Sequence, residues 1–591
     1  MKTILEKIAK QFMGRGIDKK FPFLVWLYKK TYTSFTSEAE IETLIPLKSK
    51  LLVSSRDSGL GLMLRTKGKF EPTQTKSFIN SIKKGNTVFD IGANVGYYSV
   101  LASKLVGKDG KVFAFEPDSQ NLKLLYKNLR INHCNNVVVS ESALGNKQGK
   151  LTLTQDVSNP GESSLSVLKH GNKVLVDVIT LDKFVKKQKI RTIDLIKMDV
   201  EGAELNVLRG GLKTLQNNKK IKIFIECNPS TLKDFNEDKI VLCAFLKGLN
   251  FDIQGIIDEK NKNIKKYSDK ILDIVLNKIG FTNLIAIKNK EFDPKPKISV
   301  LMTAYNAEKY IGNAIESILK QSYKNFEFVV VDDKSTDGTL DIIKEYRKKD
   351  KRIKIISLKK NLGPSLTANF GLKNINSQYL ARMDADDISE IDRLEKQIVY
   401  LQDNPEISML GGQCKLIDSE GCSIGRKLFP IDHNSIFTSL FSRNPIQHPA
   451  CMINLNNLTI SSILHGGKSV LAHDLELVFL ASKYGKLANI DDYVLKYRQY
   501  PKSFSLMNPK KTFWQTFEVR IQSILKYKYI PTLKGVITTL AQVVFIVIMP
   551  NKWIYPVYLY TRGIKKIDIR SVKINLYANI FPKKAYELAQ G

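Results

Sequence analysis

Two stretches of this chain repeat one pattern, short apolar runs rich in Val, Ile and Phe, each followed by an amphipathic stretch long enough for a helix. The first series begins near residue 80 with NTVFDIG, KVFAFEP, NVVVSESA, IDLIKMDV, KIFIECN and NLIAIK. Strands that alternate with helices imply a mostly parallel sheet whose connections cross over it. At 291–297, EFDPKPK brings two prolines and flanking charge, which break the pattern and mark a linker. The series restarts with ISVLMTAYN, FEFVVVDD, IKIISL and YLARMDADD. Between the first two of these, Tyr310, Ile311, Ala314, Ile315, Ile318 and Leu319 recur at helical spacing. The expectation is an α/β chain of two doubly wound domains, and 591 residues already call for more than one core.

Hydrophobic residues are 43% and charged residues 25% of the chain, a globular balance that excludes a disordered class. Lys and Arg outnumber Asp and Glu by 92 to 58, a formal net charge of +34. That excess favours an acidic partner, and nucleic acid, an anionic membrane and phosphorylated small molecules all qualify. Cys134, Cys227, Cys243, Cys414, Cys422 and Cys451 form no Cys-x-x-Cys pair and have no His at zinc-finger spacing, so they read as reduced thiols. The opening MKTILEKIAKQFMGRGIDKK is interrupted by charge and lacks the apolar block of a secretory signal, so a cytoplasmic location is expected.

VFDIGANVGYYS reads as a strand that ends in Asp90 and turns through Gly92, Asn94 and Gly96 into a helix. Glycines there let backbone approach a ligand, and a helix N-terminus favours a polar or anionic group. Glu116 in VFAFEP ends the next strand, where an acid commonly grips a ribose, so a nucleoside cofactor fits. The Asp-x-Gly-x-Asn-x-Gly turn, DLIKMDVEGAEL at 194–205, Glu71-Pro72 and IFIECNP together closely resemble the FkbM-type methyltransferase family over roughly residues 55–290. The resemblance implies a class I, Rossmann-like fold and O-methylation by S-adenosylmethionine (SAM), often of a sugar hydroxyl. It places Asp90, Gly92, Asn94, Gly96 and Glu116 around SAM, with Ser142 and Ala143 near the adenine. Lys197, Asp199 and Glu201 are expected to face the methyl group. An alcohol needs a base before it attacks a sulfonium carbon, and Asp199 is the choice. The competing reading has Asp199 and Glu201 capping a helix that begins near Gly202.

DADD, at the end of the YLAR strand, crowds Asp384, Asp386 and Asp387 at the sheet edge where open α/β folds bind ligands. Such acids repel unless a cation shares them, and a hard divalent ion that also meets a nucleotide diphosphate answers both needs. Alone, the motif also reads as a solvated turn. With ISVLMTAYNAEKYIGNAIESILKQSYKNFEFVVVDDKSTDGT, NLGPSLTANFGL and DADDISEIDRLEKQ in order, residues 297–505 closely resemble the GT-A domain of glycosyltransferase family 2. By that resemblance Thr303, Tyr305 and Asp333 meet the nucleoside, and Asp384 and Asp386 hold Mn or Mg, with Asp387 as a helix cap or support. The resemblance implies inversion and a UDP-sugar as the expected donor. The base falls on Asp474 in VLAHDLELVFLASKYG, with His473 where Glu is common. In YRQYPKSFS, Tyr500 takes a position where the family often has His near the diphosphate, and Arg498 or Lys502 is expected to substitute. His448 reads as a packed histidine on the acceptor side.

Residues 501–591 hold 15 Lys and Arg against 3 Asp and Glu. Within them GVITTLAQVVFIVIMP is shorter than the ~20 residues that span a bilayer. With Lys526, Lys528, Lys534, Lys565, Lys566, Arg570 and Trp553 around it, a helix lying in an anionic membrane surface is expected. A buried or oligomer-forming helix and a true span are the alternatives. The expected order is an extension at 1–54, the methyltransferase domain at 55–290, a linker at 291–297, the GT-A domain at 298–505 and a basic, partly apolar helical region at 506–591. The whole reads as a bifunctional enzyme of glycan biosynthesis, peripheral on the inner face of the cell membrane, that acts on a glycan or lipid-linked acceptor. An RNA methyltransferase with an added domain is disfavoured because no nucleic-acid-binding module is visible. A scaffold with decayed sites is disfavoured by the carboxylates at 384, 386 and 474.

Overall fold

A computed structural model describes residues 39–57, 59–155, 165, 172–235, 237–258, 263–265, 282–288, 291–464, 472–499, 509–550, 554 and 557. The chain divides between Asp293 and Pro294 into two units.

The first unit opens with an antiparallel hairpin, β1 (Glu40–Ile45) and β2 (Ser49–Ser54). Two asparagines one helical turn apart fasten it to the helix Ser119–Ile131 and its C-cap. Asn128 accepts from the Leu52 amide at 2.6 Å and donates to the Leu52 carbonyl at 2.9 Å. Asn132 accepts from the Lys50 amide at 3.0 Å and donates to the Lys50 carbonyl at 2.6 Å. The extension expected to end at 54 thus contributes this hairpin to the first unit.

The strands that follow are β3 (Thr87–Ile91), β4 (Lys111–Phe115) and β5 (Val137–Ser140), then β6 (Ala143–Leu144), β7 (Gly149–Gln155) and β8 (Asn172–Ile179). After them come β9 (Leu195–Met198), β10 (Ile221–Cys227), β11 (Phe251–Asp258), β12 (Asn263–Lys265) and β13 (Thr282–Lys288). Among the described residues the main sheet runs β12-β11-β13-β10-β9-β3-β4-β5, and β6-β8-β7 form a separate small sheet. From β10 to β5 neighbouring strands are parallel, whereas β13 opposes both of its neighbours. Strands covered on both faces must be apolar throughout, and Phe89, Phe115, Ile196 and Met198 are buried in one core with Phe184. Lys197 breaks that rule, a cation 1% exposed in the middle strand. The strand order reverses between β3 and β9, and a crevice at that switch is where such sheets bind ligands.

The second unit contains β14 (Ile298–Ala304), β15 (Phe326–Asp332), β16 (Ile353–Ser357), β17 (Tyr379–Asp384) and β18 (Ile388–Ser389). It continues with β19 (Ile407–Ile417), β20 (Ser423–Lys427), β21 (Met452–Asn454) and β22 (Lys486–Arg498). The sheet runs β16-β15-β14-β17-β21-β19-β22-β18, with β20 on β19. β16-β15-β14-β17 form a parallel block, β21 runs antiparallel to β17 and β19, and β19 pairs parallel with β22. The helix Glu308–Leu319 buries Ile311, Ala314, Ile315 and Ile318 against this block.

Two helices close the described chain. Pro509–Lys526 buries Val519, Arg520 and Ser523. Leu533–Ile548 seats Thr539 on the Phe441 carbonyl at 2.7 Å while Leu533, Ile537, Leu540, Val544 and Val547 remain exposed. No helix among the described residues is long and apolar enough to cross a membrane. Tyr500, Lys502, Trp553, Lys565, Lys566 and Arg570 lie outside the described residues.

Candidate functional site

In the first unit β3 delivers Asp90, buried, with its Oδ2 accepting from Ser99 Oγ at 2.6 Å. Burial pushes this carboxyl up to about 6 despite that hydrogen bond. The turn that follows carries positive φ at Gly92, Asn94 and Gly96. A Cβ on Gly92 would stand 1.9 Å from the Asp199 carbonyl oxygen, so only glycine lets this turn meet the loop after β9. Glu116 follows β4, and both its oxygens take backbone amides, Asn94 at 2.7 Å and Asp118 at 2.8 Å. Glu116 therefore ties the glycine turn to the next loop, and burial raises it to about 7. Ser142 is half-buried just after β5, and Ala143 is buried in the small sheet beside Leu153, Val176 and Val178.

Around Lys197 the structure gathers charge. Its Nζ lies 3.1 Å from Asp199 Oδ2 and 5.2 Å from the centre of the Tyr98 ring. Burial alone would lower this ammonium, but Asp199, Glu71 and Glu226 hold it above its usual value. Glu71, at φ 38 before the helix Pro72–Ser81, accepts from Tyr98 at 2.8 Å, Gln74 at 2.6 Å and Asn283 at 3.0 Å. Glu201 stands at φ 52. The helix starts at Glu204 with Ala203 as its N-cap and no side-chain cap, so Asp199 and Glu201 are not helix caps. Glu204 instead accepts from the Val200 and Gly202 amides at 3.2 and 3.3 Å and shapes that loop.

In the second unit parallel pairing sets Thr303 of β14 beside Asp384 of β17. Asp333, just past β15, accepts from the Leu362 and Gly363 amides at 2.8 and 2.9 Å, whereas Tyr305 is 51% exposed. Asp384 is raised to about 7 by burial and then by Asp386 and Asp474, against the pull of Arg382. Asp474, in the first turn of the helix His473–Ser482, accepts from Asn444 at 3.1 Å. His448 and His473 meet edge to face at 5.3 Å.

Arg498, expected with Lys502 as the alternative near a diphosphate, is built into the acid turn. It is 4% exposed, donates to the carbonyls of Asp386, Asp418 and Ser419 at 2.7, 2.8 and 3.1 Å, and lies over the Tyr310 ring. Its amide donates to Asp387 Oδ1 at 2.8 Å. Asp387 thus joins the acid turn to β22, while the helix Arg393–Asp403 starts from Asp392.

Two sequence profiles match the chain, Methyltransferase FkbM domain over residues 90–253 and Glycosyl transferase family 2 over 299–453. An uncharacterized glycosyltransferase of Methanocaldococcus jannaschii is 34% identical over 210 residues, which cover 34% of this chain and 71% of that relative. The chain belongs to glycosyltransferase family 2, with an FkbM methyltransferase domain ahead of the glycosyltransferase domain. A Haemophilus influenzae glycosyltransferase, also uncharacterized, is 37% identical over 211 residues, 34% of this chain, and the chain spans 65% of its length. The structure of S. aureus TarS 1–349 in complex with UDP overlaps 39% of this chain and 65% of that one, at 25% identity and TM-score 0.31.

Several residues of the FkbM and family 2 domains were not singled out from sequence. Glu226 had a signal, being an acid at the end of an apolar strand as Asp199 is. Tyr98, Asn283 and Asn444 had none, since each is an ordinary polar residue whose importance comes from what the fold places beside it.

Proposed function

We propose that the chain is a bifunctional enzyme of glycan biosynthesis. The second unit transfers a sugar from a nucleotide-sugar donor, a UDP-sugar first, to a glycan or lipid-linked acceptor with inversion. The first O-methylates a sugar hydroxyl with SAM. The observation that carries the transfer reading is the placing of Asp384, with Asp386 two residues on, beside Thr303 at the carboxyl ends of β14 and β17, with Asp474 adding to the negative field on Asp384. Asp474 takes the proton of the acceptor hydroxyl, whose oxygen bonds the anomeric carbon as the bond to the diphosphate breaks on the opposite face. The residues fit a divalent ion, because Asp384 and Asp386 are crowded carboxylates and Asp387 Oδ2 is buried without a hydrogen-bond partner among the described residues. Asp384 and Asp386 would hold that ion, which when bound neutralises charge on the departing diphosphate. Thr303 and Asp333 border the nucleoside, and Arg498 keeps the acid turn in place.

In the first unit the acids around Lys197 suit a sulfonium cation, and SAM supplies an electrophilic methyl group when bound. Asp199, 32% exposed, accepts the proton of the attacking hydroxyl, and Lys197 fixes its orientation. The exposed apolar side of Leu533–Ile548, with Lys526, Lys528 and Lys534 nearby, supports a cytoplasmic enzyme that lies on an anionic membrane. A thermal-shift screen of the full chain tests the reading. SAM alone should stabilise it, and a UDP-, GDP- or dTDP-sugar should do so only with Mn²⁺ or Mg²⁺. No response to any of these sinks the enzyme reading.

A further inference from the structure

Three carboxylates converge at the carboxyl ends of the two central strands of the first unit. Asp199 and Glu201 follow β9, Glu226 is near the end of β10, and one oxygen from each lies within 4.8 Å of the others. Opposed metal–oxygen bonds span about 4–5 Å, so a single ion can reach all three. Anions this close repel unless a cation lies among them. Lys197 supplies one positive charge at 3.1 Å from Asp199, yet Glu71 and Glu226 draw on the same ammonium.

A second observation is independent of the crowding. Glu226 is 5% exposed and its Oε2 has no hydrogen-bond partner among the described residues. A buried carboxylate oxygen without a donor is a costly arrangement, and Glu204 Oε2 on the neighbouring loop is buried in the same condition among the described residues. Glu71 shows the contrast, with donors from Tyr98, Gln74 and Asn283. The donor set of the cluster is oxygen alone, with no His or Cys, which selects a hard ion over zinc.

We propose that Asp199, Glu201 and Glu226 bind a divalent cation, Mg²⁺ or Mn²⁺, in the first unit, separate from the acids of the second. Its position beside the methyl acceptor rests on the methyltransferase reading, in which the ion fixes and acidifies the hydroxyl to be methylated. The site is built across two strands and a loop, and that loop is held by Glu204 and by the contact of Gly92 with the Asp199 carbonyl.

The test is Mn²⁺ alone, titrated by EPR into the full chain carrying Asp384→Asn and Asp386→Asn. One Mn²⁺ should remain bound, and adding Glu226→Gln or, separately, Asp199→Asn should weaken it by at least about tenfold. Circular dichroism of the same samples verifies folding, and two variants at differently buried positions guard against one misfolding. No bound Mn²⁺ in the double variant, or binding untouched by both further changes, overturns the proposal. SAM binding measured on the same samples separates the two ideas. SAM without Mn²⁺ leaves the methyltransferase reading standing and removes the cation site, the acids then facing the sulfonium directly. Mn²⁺ without SAM does the reverse.

Discussion

Asp474 and Arg498 illustrate two different kinds of evidence at the scale of single residues. Asp474 sits in the first turn of a helix, half-buried, with Asn444 on one oxygen and Asp384 nearby. Asp474→Asn keeps the shape and the partner but removes the base, so sugar transfer should fall by about 10²–10⁴-fold while donor affinity stays. Single-turnover assays with a calorimetric binding control check this, and unaltered turnover would move the base elsewhere. Arg498 touches carbonyls and a ring, and its sequence position near a diphosphate motif did not foretell that. A guanidinium with three carbonyl partners and a stacked tyrosine positions a turn.

At the scale of elements, the hairpin Glu40–Ser54 depends on two side chains of one helical segment. Asn128→Ala removes donors and acceptors from the Leu52 backbone and from the Val95 carbonyl, all at least partly buried. The expected loss is about 1–3 kcal/mol, read as a lower denaturation midpoint of the full chain, and a change within error would make the hairpin an ornament. Nothing in the sequence announces this fastening, because Asn128 in the helix and Asn132 at its C-cap stand among many polar residues and their partner strand is 76 residues away in one case. The two parallel blocks were legible because strands buried on both faces leave unbroken apolar runs, as FVVVD does at 328–332. The glycine turn and the DADD turn were legible for the related reason that special backbone and crowded charge are rare outside sites. The pairing of β21 between β17 and β19 was not, since a three-residue strand has no periodicity to read. Side chains that meet across strands, such as Glu226 and Asn283 in their antiparallel register, become visible only once the register is known.

At the scale of the whole molecule, buried acids set how stability follows pH. Asp90 and Glu116 are raised by burial to about 6 and about 7. The folded first unit therefore holds protons that the unfolded chain has already released, and stability falls as pH rises from the ordinary carboxylate range toward 7. Denaturant titrations from pH 4.5 to 7.5 should show that fall in the transition of the first unit, and Glu116→Gln should flatten it. A transition that strengthens across this range would contradict the burial of these groups. The same unit carries a mechanical consequence in the approach of Gly92 to the Asp199 carbonyl, where not even a methyl group can be inserted. The turn of Gly92 and the loop of Asp199 are therefore packed backbone against backbone. A side chain at position 92 would push the two loops apart, so Gly92→Ala should disturb both at once.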